Sequence, residues 1–392
     1  MQQRTQVAII GAGPAGLLLG ALLQKAGIAS TILERDGDEQ VLERVRAGIL
    51  EPGTAALIDA AGVGARMRRE ALVHRGIGIS FGGERRRIDL QGLSGRSVLV
   101  YGQTELTRDL MQARAAAGQA SLYQVEQVSL HDYDDAQPRV RFRHQGRDCE
   151  LACEFIAGCD GFHGASRASL PSRAYRCYER GYPFGWLGVL ADSEPPSEEL
   201  IYAQSERGFA LCSMRSRSRV RCYIQCSLSD KVEQWSDARF WDELRLRLDP
   251  ASAAALRPAP ALEKSIAPLR SYVAEPLRFG RLFLAGDAGH LVPPAGAKGL
   301  NLAAADAHQL ARALIEHYRD RSDRGLDRYS ELALRRIWRA ERFSWGMTRL
   351  LHHFPDHNGF DQRIQQAELD YLFDSRAAQT ALAENYVGLP LD

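Results

Sequence analysis

The chain has 392 residues, of which 45% are hydrophobic and 25% are charged. This is the composition of a folded globular protein of about two to three domains, and it excludes disordered, collagen-like and coiled-coil proteins. The chain has 50 basic and 49 acidic residues, so its net charge is only +1 at pH 7. This balance argues against nucleic acid or an anionic membrane as a partner.

The seven cysteines predict a reducing compartment. Their number is odd, no two of them form a Cys-x-x-Cys pair, and a chain of this length can build a large core without disulfides. We therefore expect a cytoplasmic protein. The pairs Cys149/Cys153 and Cys222/Cys226 could form a four-thiolate zinc site, but both pairs lie in alternating, strand-like sequence, so no metal is predicted.

The N-terminal segment combines an apolar strand, a glycine turn and a helix. Residues 7–10 favour a strand, Gly-Ala-Gly-Pro-Ala-Gly follows at 11–16, residues 17–25 are predicted to be a helix, and residues 31–34 are predicted to be a second strand. Residues 7–23 resemble a signal peptide, but their four glycines and one proline are better explained by the turn. No other segment approaches the roughly 20 apolar residues that span a bilayer.

The glycines of this turn have distinct predicted tasks. We expect Gly11 to make the tight turn, Gly13 to let the backbone approach a pyrophosphate, and Gly16 to let the helix pack on the strand. Glu34 lies 18 residues after Gly16, where its carboxylate can accept hydrogen bonds from a ribose diol. Dinucleotide binding is therefore predicted; the alternative is a glycine-rich packing turn without a ligand.

Two later stretches strengthen this prediction. Residues 155–161 and 281–290 are predicted strands that run into aspartate and glycine turns, which are ordinary singly but more specific together with the first turn. Two prolines and two glycines at 292–301 predict an irregular loop, and a long helix is predicted to begin near Leu300. A second G-x-G-x-x-G is absent from the sequence, so we expect no separate nicotinamide-binding domain.

Residues 209–215 and 219–225 alternate like the two strands of a hairpin. Ser213 and Arg215 share one face of the first strand, and Tyr223 lies on one face of the second. Hydroxyls beside a guanidinium can bind a carboxylate. On these residues alone, however, a solvated sheet face is the favoured interpretation.

Further stretches at 44–51, 100–105, 158–164, 182–188 and 383–390 carry a family resemblance. With the three turns, they resemble the single-component, group A flavoprotein aromatic hydroxylases, and within that family the members that act on 4-hydroxybenzoate. The similarity runs from about residue 5 to residue 390.

The resemblance implies one non-covalent FAD, which takes hydride from NADH or NADPH and activates O2 as a flavin hydroperoxide. The implied reaction converts 4-hydroxybenzoate to 3,4-dihydroxybenzoate. Besides Glu34 and the three glycines, the resemblance assigns FAD binding to Arg44, Arg46, Ala47, Gly48, Ile49, Gln103, Asp160, Asp287, Leu300 and Asn301. It assigns the nicotinamide nucleotide to Arg35, His163, Arg167 and Arg270.

The resemblance also reverses the interpretation of the hairpin. It implies that Ser213, Arg215 and Tyr223 hold the substrate carboxylate, and that Tyr202 and the carbonyl of Pro294 meet the phenol oxygen. A hydrogen-bonded chain from Tyr202 through Tyr386 to His74 is implied to remove the phenol proton, since tyrosine alone, with a pKa near about 10, is a poor base.

The sequence departs from the family pattern at two positions, of which only Ala295 bears on the choice of substrate. Ala295 stands where a threonine is common, and Gly289 stands where an alanine is common. The alternatives are a flavin hydroxylase of another aromatic acid, such as 3-hydroxybenzoate or 4-aminobenzoate, and a flavin protein that oxidises NADH or senses redox state without hydroxylating.

A third departure concerns the electron donor. Arg35 is kept, but Asp36 and Gln40 replace the glutamine and tyrosine of members that prefer NADPH, and Asp38 and Glu39 add negative charge. Because a 2′-phosphate would be repelled there, the sequence predicts NADH use or weak discrimination.

The predicted architecture is α/β. A Rossmann-like FAD-binding domain is expected at 1–175, with a hairpin of the substrate domain inserted near 75–98. A substrate domain with a mixed or antiparallel sheet is expected at 176–290, and a helical segment that closes the site at 291–392. We expect a homodimer, whose only other partners are the aromatic acid and O2.

Overall fold

The computed structural model describes residues 2–43 and 48–391, and it confirms a mixed α/β fold with a helical C-terminal segment. The strands are β1 (Gln2–Arg4), β2 (Val7–Ile10), β3 (Ser30–Leu33), β4 (Ile49–Leu50), β5 (Leu72–His74), β6 (Ile77–Phe81), β7 (Glu84–Ile88), β8 (Val98–Val100), β9 (Ser121–Leu122), β10 (Glu126–His131), β11 (Arg139–His144), β12 (Arg147–Ala152), β13 (Phe155–Gly158), β14 (Arg176–Ala191), β15 (Ile201–Ala203), β16 (Ala210–Ser216), β17 (Arg219–Ser227), β18 (Ala261–Glu275), β19 (Arg278–Phe279), β20 (Leu282–Leu284) and β21 (His290–Leu291).

The helices are α1 (Pro14–Lys25), α2 (Asp38–Glu43), α3 (Pro52–Ala60), α4 (Ala65–Glu70), α5 (Leu90–Ser94), α6 (Gln103–Ala116), α7 (Ala165–Ala168), α8 (Asp237–Arg247), α9 (Pro250–Ala255), α10 (Gly299–Asp320), α11 (Arg324–Leu351), α12 (Gly359–Asp374) and α13 (Arg376–Val387). Short 3-10 turns cover Ser172–Ala174, Val232–Gln234, Gly286–Ala288 and Pro294–Gly296. Within the described ranges, no helix is both long and apolar enough to cross a membrane.

A mainly parallel sheet carries the glycine turn. Its order is β19-β20-β13-β2-β3-β9, and β2, β3 and β13 are buried along their whole length. Parallel strands that are covered on both faces are continuously apolar, as the sequence of these strands is. The helices α1 and α10 pack against each other beside this sheet.

The helix α1 begins at Pro14, three residues before the predicted start. Proline is favourable in the first turn of a helix because its missing N–H has no intrahelical partner there. The second predicted strand is β3, and the long helix α10 begins at Gly299, beside the predicted start at Leu300.

A second, largely antiparallel sheet has the order β21-β18-β14-β17-β16-β15-β6-β7. The predicted hairpin is confirmed as β16 and β17, which place Leu211 opposite Tyr223 and Ser213 opposite Arg221. The hairpin β6–β7 comes from the N-terminal part of the chain and joins this sheet through parallel pairing of β6 with β15.

Each face of the second sheet has its own core. One face is covered by α8, which contributes Phe240, Trp241 and Leu244. The other packs against the C-terminal helices through residues such as Phe343 and Tyr386. The two remaining sheets have the orders β1-β12-β11-β10 and β4-β8-β5.

Candidate active site

A cavity of about 1190 Å³ extends from the glycine turn to the second sheet. Pockets for a single small molecule typically enclose about 300–1,000 Å³. The cavity therefore has room for a dinucleotide and a second, smaller molecule.

The glycine turn leaves open space in front of α1. Gly11 has a φ of +103°, and a Cβ there would lie 2.4 Å from the carbonyl oxygen of Cys159. A Cβ on Gly16 would lie 2.1 Å from the carbonyl oxygen of Gly11 and 3.1 Å from the side chain of Ile9 in β2. Gly13, by contrast, faces space with no atom within 4 Å of its Cβ position, and no side chain caps the helix there. The N-terminal amides of α1 are thus available to an anion at the cavity.

Glu34 lies at the end of β3, is buried and lines the cavity. Its Oε2 accepts a hydrogen bond of 2.6 Å from the amide of Ala12, and its Oε1 accepts one of 3.1 Å from the amide of Asp36. The carboxylate therefore also braces the glycine turn, beyond the ribose contact that the sequence predicts.

Asp160 and Asp287 line the same cavity from the other two turns. Asp160 Oδ2 accepts a hydrogen bond of 2.8 Å from the amide of Ser166, and burial raises the pKa of its carboxyl. Gly164 makes room for this carboxyl, since a Cβ there would lie 2.1 Å from Asp160 Cγ.

Gln103, Ile49 and Leu300 line the cavity as well, whereas Gly48 does not. A Cβ on Gly48 would lie 2.2 Å from the carbonyl oxygen of Tyr101, so a glycine is needed where these two segments meet. The predicted residues Arg44, Arg46 and Ala47 lie outside the described residues.

Asn301 is placed differently from the expectation, because it does not line this cavity. Its buried side chain ties α10 to β4: Nδ2 donates to the carbonyl of Ile49 at 3.0 Å, and Oδ1 accepts from the amide of Glu51 at 2.9 Å. It positions the wall of the cavity rather than forming it.

Lys298 lines the cavity and was missed by the sequence analysis. Its buried ammonium donates to Glu51 Oε1 at 2.6 Å and to the carbonyl of Tyr386 at 3.0 Å. Burial lowers the pKa of Lys298, and the carboxylate of Glu51 opposes that shift. One signal was available, since Lys298 is one of only four lysines among 50 basic residues.

The residues predicted to form the carboxylate pocket lie on the second sheet. Ser213, Arg215 and Tyr223 line the cavity together with Trp186, Leu211, Tyr202 and Pro294. Among the described residues, no carboxylate lies within 4 Å of the Arg215 guanidinium, and its Nε has no hydrogen-bond partner. Burial without a paired carboxylate lowers the pKa of Arg215. A ligand carboxylate would supply the missing charge.

The predicted proton relay is brought together only in part. The hydroxyl oxygens of Tyr202 and Tyr386 lie 2.9 Å apart, both side chains are fully buried, and burial raises the pKa of each. His74 is also buried, but neither of its ring nitrogens has a hydrogen-bond partner among the described residues. Burial lowers the pKa of His74.

The residues predicted to bind the nicotinamide nucleotide lie around the cavity, which Arg35, His163 and Arg270 line. Arg270 also pairs with Glu179 at 3.3 Å. Arg167 does not line the cavity. It donates to the carbonyl of Ala288 at 3.3 Å and to that of Phe162, so its contacts here are structural.

Comparisons with known proteins identify the family of the chain. Residues 4–344 match the model of the FAD binding domain family. The chain belongs to this family of flavoprotein hydroxylases. It is 57% identical to p-hydroxybenzoate hydroxylase of Acinetobacter baylyi (strain ATCC 33305 / BD413 / ADP1), over 99% of this chain and 96% of that protein.

Two comparisons are more distant. Para-nitrophenol 4-monooxygenase of Pseudomonas sp. (strain WBC-3) is 28% identical, over 84% of this chain and 83% of that protein. The crystal structure of p-nitrophenol 4-monooxygenase from Pseudomonas putida DLL-E4 shares the fold, with a TM-score of 0.85, 19% identity and 99% of each chain covered.

Because the chain belongs to the FAD binding domain family, the cavity must accept FAD. The open space before Gly13 and the amides of α1 fit its pyrophosphate.

We predict that Gly388→Ala breaks the contact between Lys298 and Glu51. A Cβ on Gly388, whose φ is +86°, would lie 1.8 Å from Glu51 Oε2. The free energy of unfolding should fall by about 3 kcal/mol, since breaking a buried ion pair costs about 3–5 kcal/mol. Denaturant unfolding measures the change.

Gly346→Ala is the matched control in the interior of α11. A Cβ at Gly346 would meet no atom within 4 Å, so this substitution should raise the free energy of unfolding by about 0.5–1 kcal/mol. Equal stability of Gly388→Ala and the unmodified protein would contradict the proposed importance of the contact.

Proposed function

We propose that the protein hydroxylates 4-hydroxybenzoate at the carbon next to the phenol oxygen and releases 3,4-dihydroxybenzoate. One atom of O2 enters the ring, and the other is reduced to water by the two electrons that NADH or NADPH supplies. The observation that carries the proposal is the cavity that Arg215, with no carboxylate partner among the described residues, shares with the hydroxyl of Tyr202. The similarity to the p-hydroxybenzoate hydroxylase of A. baylyi supports it.

The polar groups of the cavity suit an aromatic acid with a phenol. Arg215, Ser213 and Tyr223 can bind the carboxylate through charge-assisted and hydroxyl hydrogen bonds. The apolar side chains of Trp186 and Leu211 line the space beside them and can pack on the ring.

FAD, when bound, supplies two-electron reduction by NAD(P)H and activation of O2. In this proposal the phenol lies where Tyr202 can accept its proton while donating its own to Tyr386, whose hydroxyl is 2.9 Å away. Because burial raises the pKa of both tyrosines, each stays a neutral hydroxyl that passes a proton on rather than storing it as a base. Among the described residues His74 has no hydrogen bond to this pair, so its part in the relay stays a prediction.

Ala295 gives no support for another substrate. Its side chain is fully buried in the core and does not line the cavity, although the sequence led us to expect an effect at the reacting end. A phenol without a carboxylate, as in the para-nitrophenol monooxygenases, would leave Arg215 without a counter-charge.

The proposed homodimer is supported by exposed apolar side chains on α12, namely Phe360, Ile364 and Tyr371. A cytoplasmic location and the three domain boundaries stay predictions.

The deciding experiment is oxidation of NADH and NADPH by the purified holoenzyme in air, with and without 4-hydroxybenzoate. We expect 4-hydroxybenzoate to accelerate oxidation and to yield 3,4-dihydroxybenzoate. Rapid oxidation without an aromatic acid would instead identify a flavin oxidase. Acceleration by 3-hydroxybenzoate or 4-aminobenzoate, but not by 4-hydroxybenzoate, would identify that other acid as the substrate.

We predict that Arg215→Gln raises the KM for 4-hydroxybenzoate by about 10- to 100-fold. A charge-assisted hydrogen bond contributes about 1.5–3 kcal/mol, and each 1.4 kcal/mol corresponds to about tenfold in affinity. Steady-state kinetics measure the change.

Arg219→Gln is the matched control on the neighbouring strand β17, because Arg219 is exposed and pairs with Asp192 at 2.6 Å. Its KM should stay within about twofold of the unmodified enzyme, since an exposed ion pair contributes at most about 1 kcal/mol. An unchanged KM for Arg215→Gln would place the carboxylate elsewhere.

We predict that kcat/KM for NADH equals or exceeds that for NADPH. Arg35 is exposed and lies 3.6 Å from the carboxylate of Asp36, and the side chain of Gln40 is occupied by a 2.9 Å hydrogen bond from the amide of Gly37. Asp36→Gln should shift the ratio toward NADPH by about tenfold, because it removes a charge that repels the 2′-phosphate.

The control for the donor experiment is Asp135→Asn, an exposed residue in the turn between β10 and β11, which should leave the ratio unchanged. A hundredfold preference of the unmodified enzyme for NADPH would refute the charge argument.

A further inference from the structure

His352 ends α11 and lies in an aromatic stack beside the cavity. Its side chain is fully buried between Phe184 and Phe209, with ring centroids 4.9 Å and 4.2 Å away and interplanar angles of 9° and 16°. It does not line the cavity. It belongs neither to the predicted proton relay nor to the residues that line the carboxylate pocket.

Both ring nitrogens of His352 have a partner. Nδ1 lies 2.9 Å from the carbonyl oxygen of Thr348, and Nε2 lies 2.7 Å from the indole Nε1 of Trp186. A carbonyl only accepts and an indole N–H only donates, so Nδ1 carries the proton and Nε2 accepts. The ring is therefore a neutral imidazole in a single tautomer. Burial lowers the pKa of His352 to about 3, which agrees with the neutral ring that the two hydrogen bonds require.

Trp186 connects this histidine to the carboxylate pocket. Its indole lines the cavity, stacks on Phe209 at 4.8 Å and lies 5.1 Å from the ring of Tyr223. Tyr223 in turn borders Arg215 in the same cavity. The hydrogen bond from Nε1 to His352 therefore fixes the rotation of the indole and, with it, the shape of the wall next to Arg215.

We propose that His352 is a positioning residue for the aromatic substrate, which acts by accepting the indole hydrogen bond of Trp186 and holding that ring as the wall of the carboxylate pocket. The proposal rests on the proposed function, in which the cavity holds an aromatic acid. Without this acceptor the buried indole N–H would be left unsatisfied, and the ring would turn to find another partner.

Two substitutions separate the two hydrogen bonds of His352. In His352→Gln, the side-chain oxygen reaches about as far as Nε2 and can still accept from Trp186. In His352→Asn, the shorter amide can replace only the Nδ1 donor to Thr348 and leaves the indole without its acceptor.

The first measurement is the dissociation constant of 4-hydroxybenzoate, titrated against the FAD-loaded enzyme. We expect His352→Asn to raise it about tenfold, or about 1.4 kcal/mol. His352→Gln should stay within about threefold of the unmodified enzyme. In a Trp186→Phe background, His352→Asn should change it by less than about twofold, because the residue through which His352 acts is gone.

Phe184→Leu is the packing control. Phe184 stacks on the opposite side of His352 and does not line the cavity, so its loss should lower the thermal midpoint while leaving substrate affinity within about twofold. An equal loss of affinity in Phe184→Leu and His352→Asn would reduce His352 to a packing role and overturn the proposal. A tenfold rise of the dissociation constant on adding His352→Asn to the Trp186→Phe variant would also overturn the proposal.

The second measurement requires neither the substrate nor a substitution of His352. In the indole N–H spectrum of the 15N-tryptophan-labelled holoenzyme, the signal that disappears in Trp186→Phe should lie downfield, as expected for a strong hydrogen bond, and should not move between pH 5 and 9. A signal at the position of a free indole would refute the proposal. Failure of the unmodified enzyme to bind 4-hydroxybenzoate would instead refute the proposed function and leave this signal to decide the role of His352.

Discussion

The buried ammonium of Lys298 holds three distant parts of the chain together at the wall of the cavity. It donates to Glu51, which precedes α3, and to the carbonyl of Tyr386 in α13, while Lys298 itself precedes α10. Breaking such a pair leaves an uncompensated buried charge and costs about 3–5 kcal/mol. Lys298 therefore links the loop that carries Pro294 to Glu51 and to the backbone of α13, and Asn301 adds a second link between α10 and the segment around Ile49.

Two sheets of different type meet at this cavity, and each contributes the groups that its geometry makes available. The parallel sheet ends in turns, so it offers backbone amides and the N-terminus of α1, which suit the phosphates of a dinucleotide whatever the nearby side chains are. The antiparallel sheet offers alternating side chains on one face, so β16 and β17 can place Ser213, Arg215 and Tyr223 together against a small molecule. We therefore expect backbone amides to bind the phosphates of the cofactor, and side chains of β16 and β17 to bind the proposed substrate.

The sequence predicts most of what is encoded locally. The glycine turn, the strand–turn pattern around Asp160 and Asp287 and the hairpin β16–β17 are each contained in about 20 residues, so spacing alone locates them. Contacts between distant segments leave no such periodic signal. Lys298 and Glu51 are 247 residues apart, and Asn301 reaches Ile49 across 252 residues. His352 was likewise invisible, because one histidine at a helix end indicates nothing until Trp186 is seen against it. Ala295 is the opposite case. Its place in the sequence predicted an effect at the reacting end of the site, but its side chain is buried in the core and does not line the cavity.

Two arginines close together on the hairpin show how the structure separates architecture from recognition. Arg221 is paired on both terminal nitrogens with Glu263, at 2.9 Å and 3.0 Å, so its charge is already neutralised within the sheet. Arg215 borders the same cavity with no carboxylate partner among the described residues, and its burial disfavours the charged form. A desolvated cation without a paired carboxylate is costly, and the carboxylate of a bound ligand would relieve that cost. The same reasoning applies to the two neutral hydroxyls of Tyr202 and Tyr386, which satisfy each other and leave Tyr202 able to accept from a phenol. Under the proposed function, the substrate would therefore supply the counter-charge for Arg215 and a hydrogen-bond donor for Tyr202.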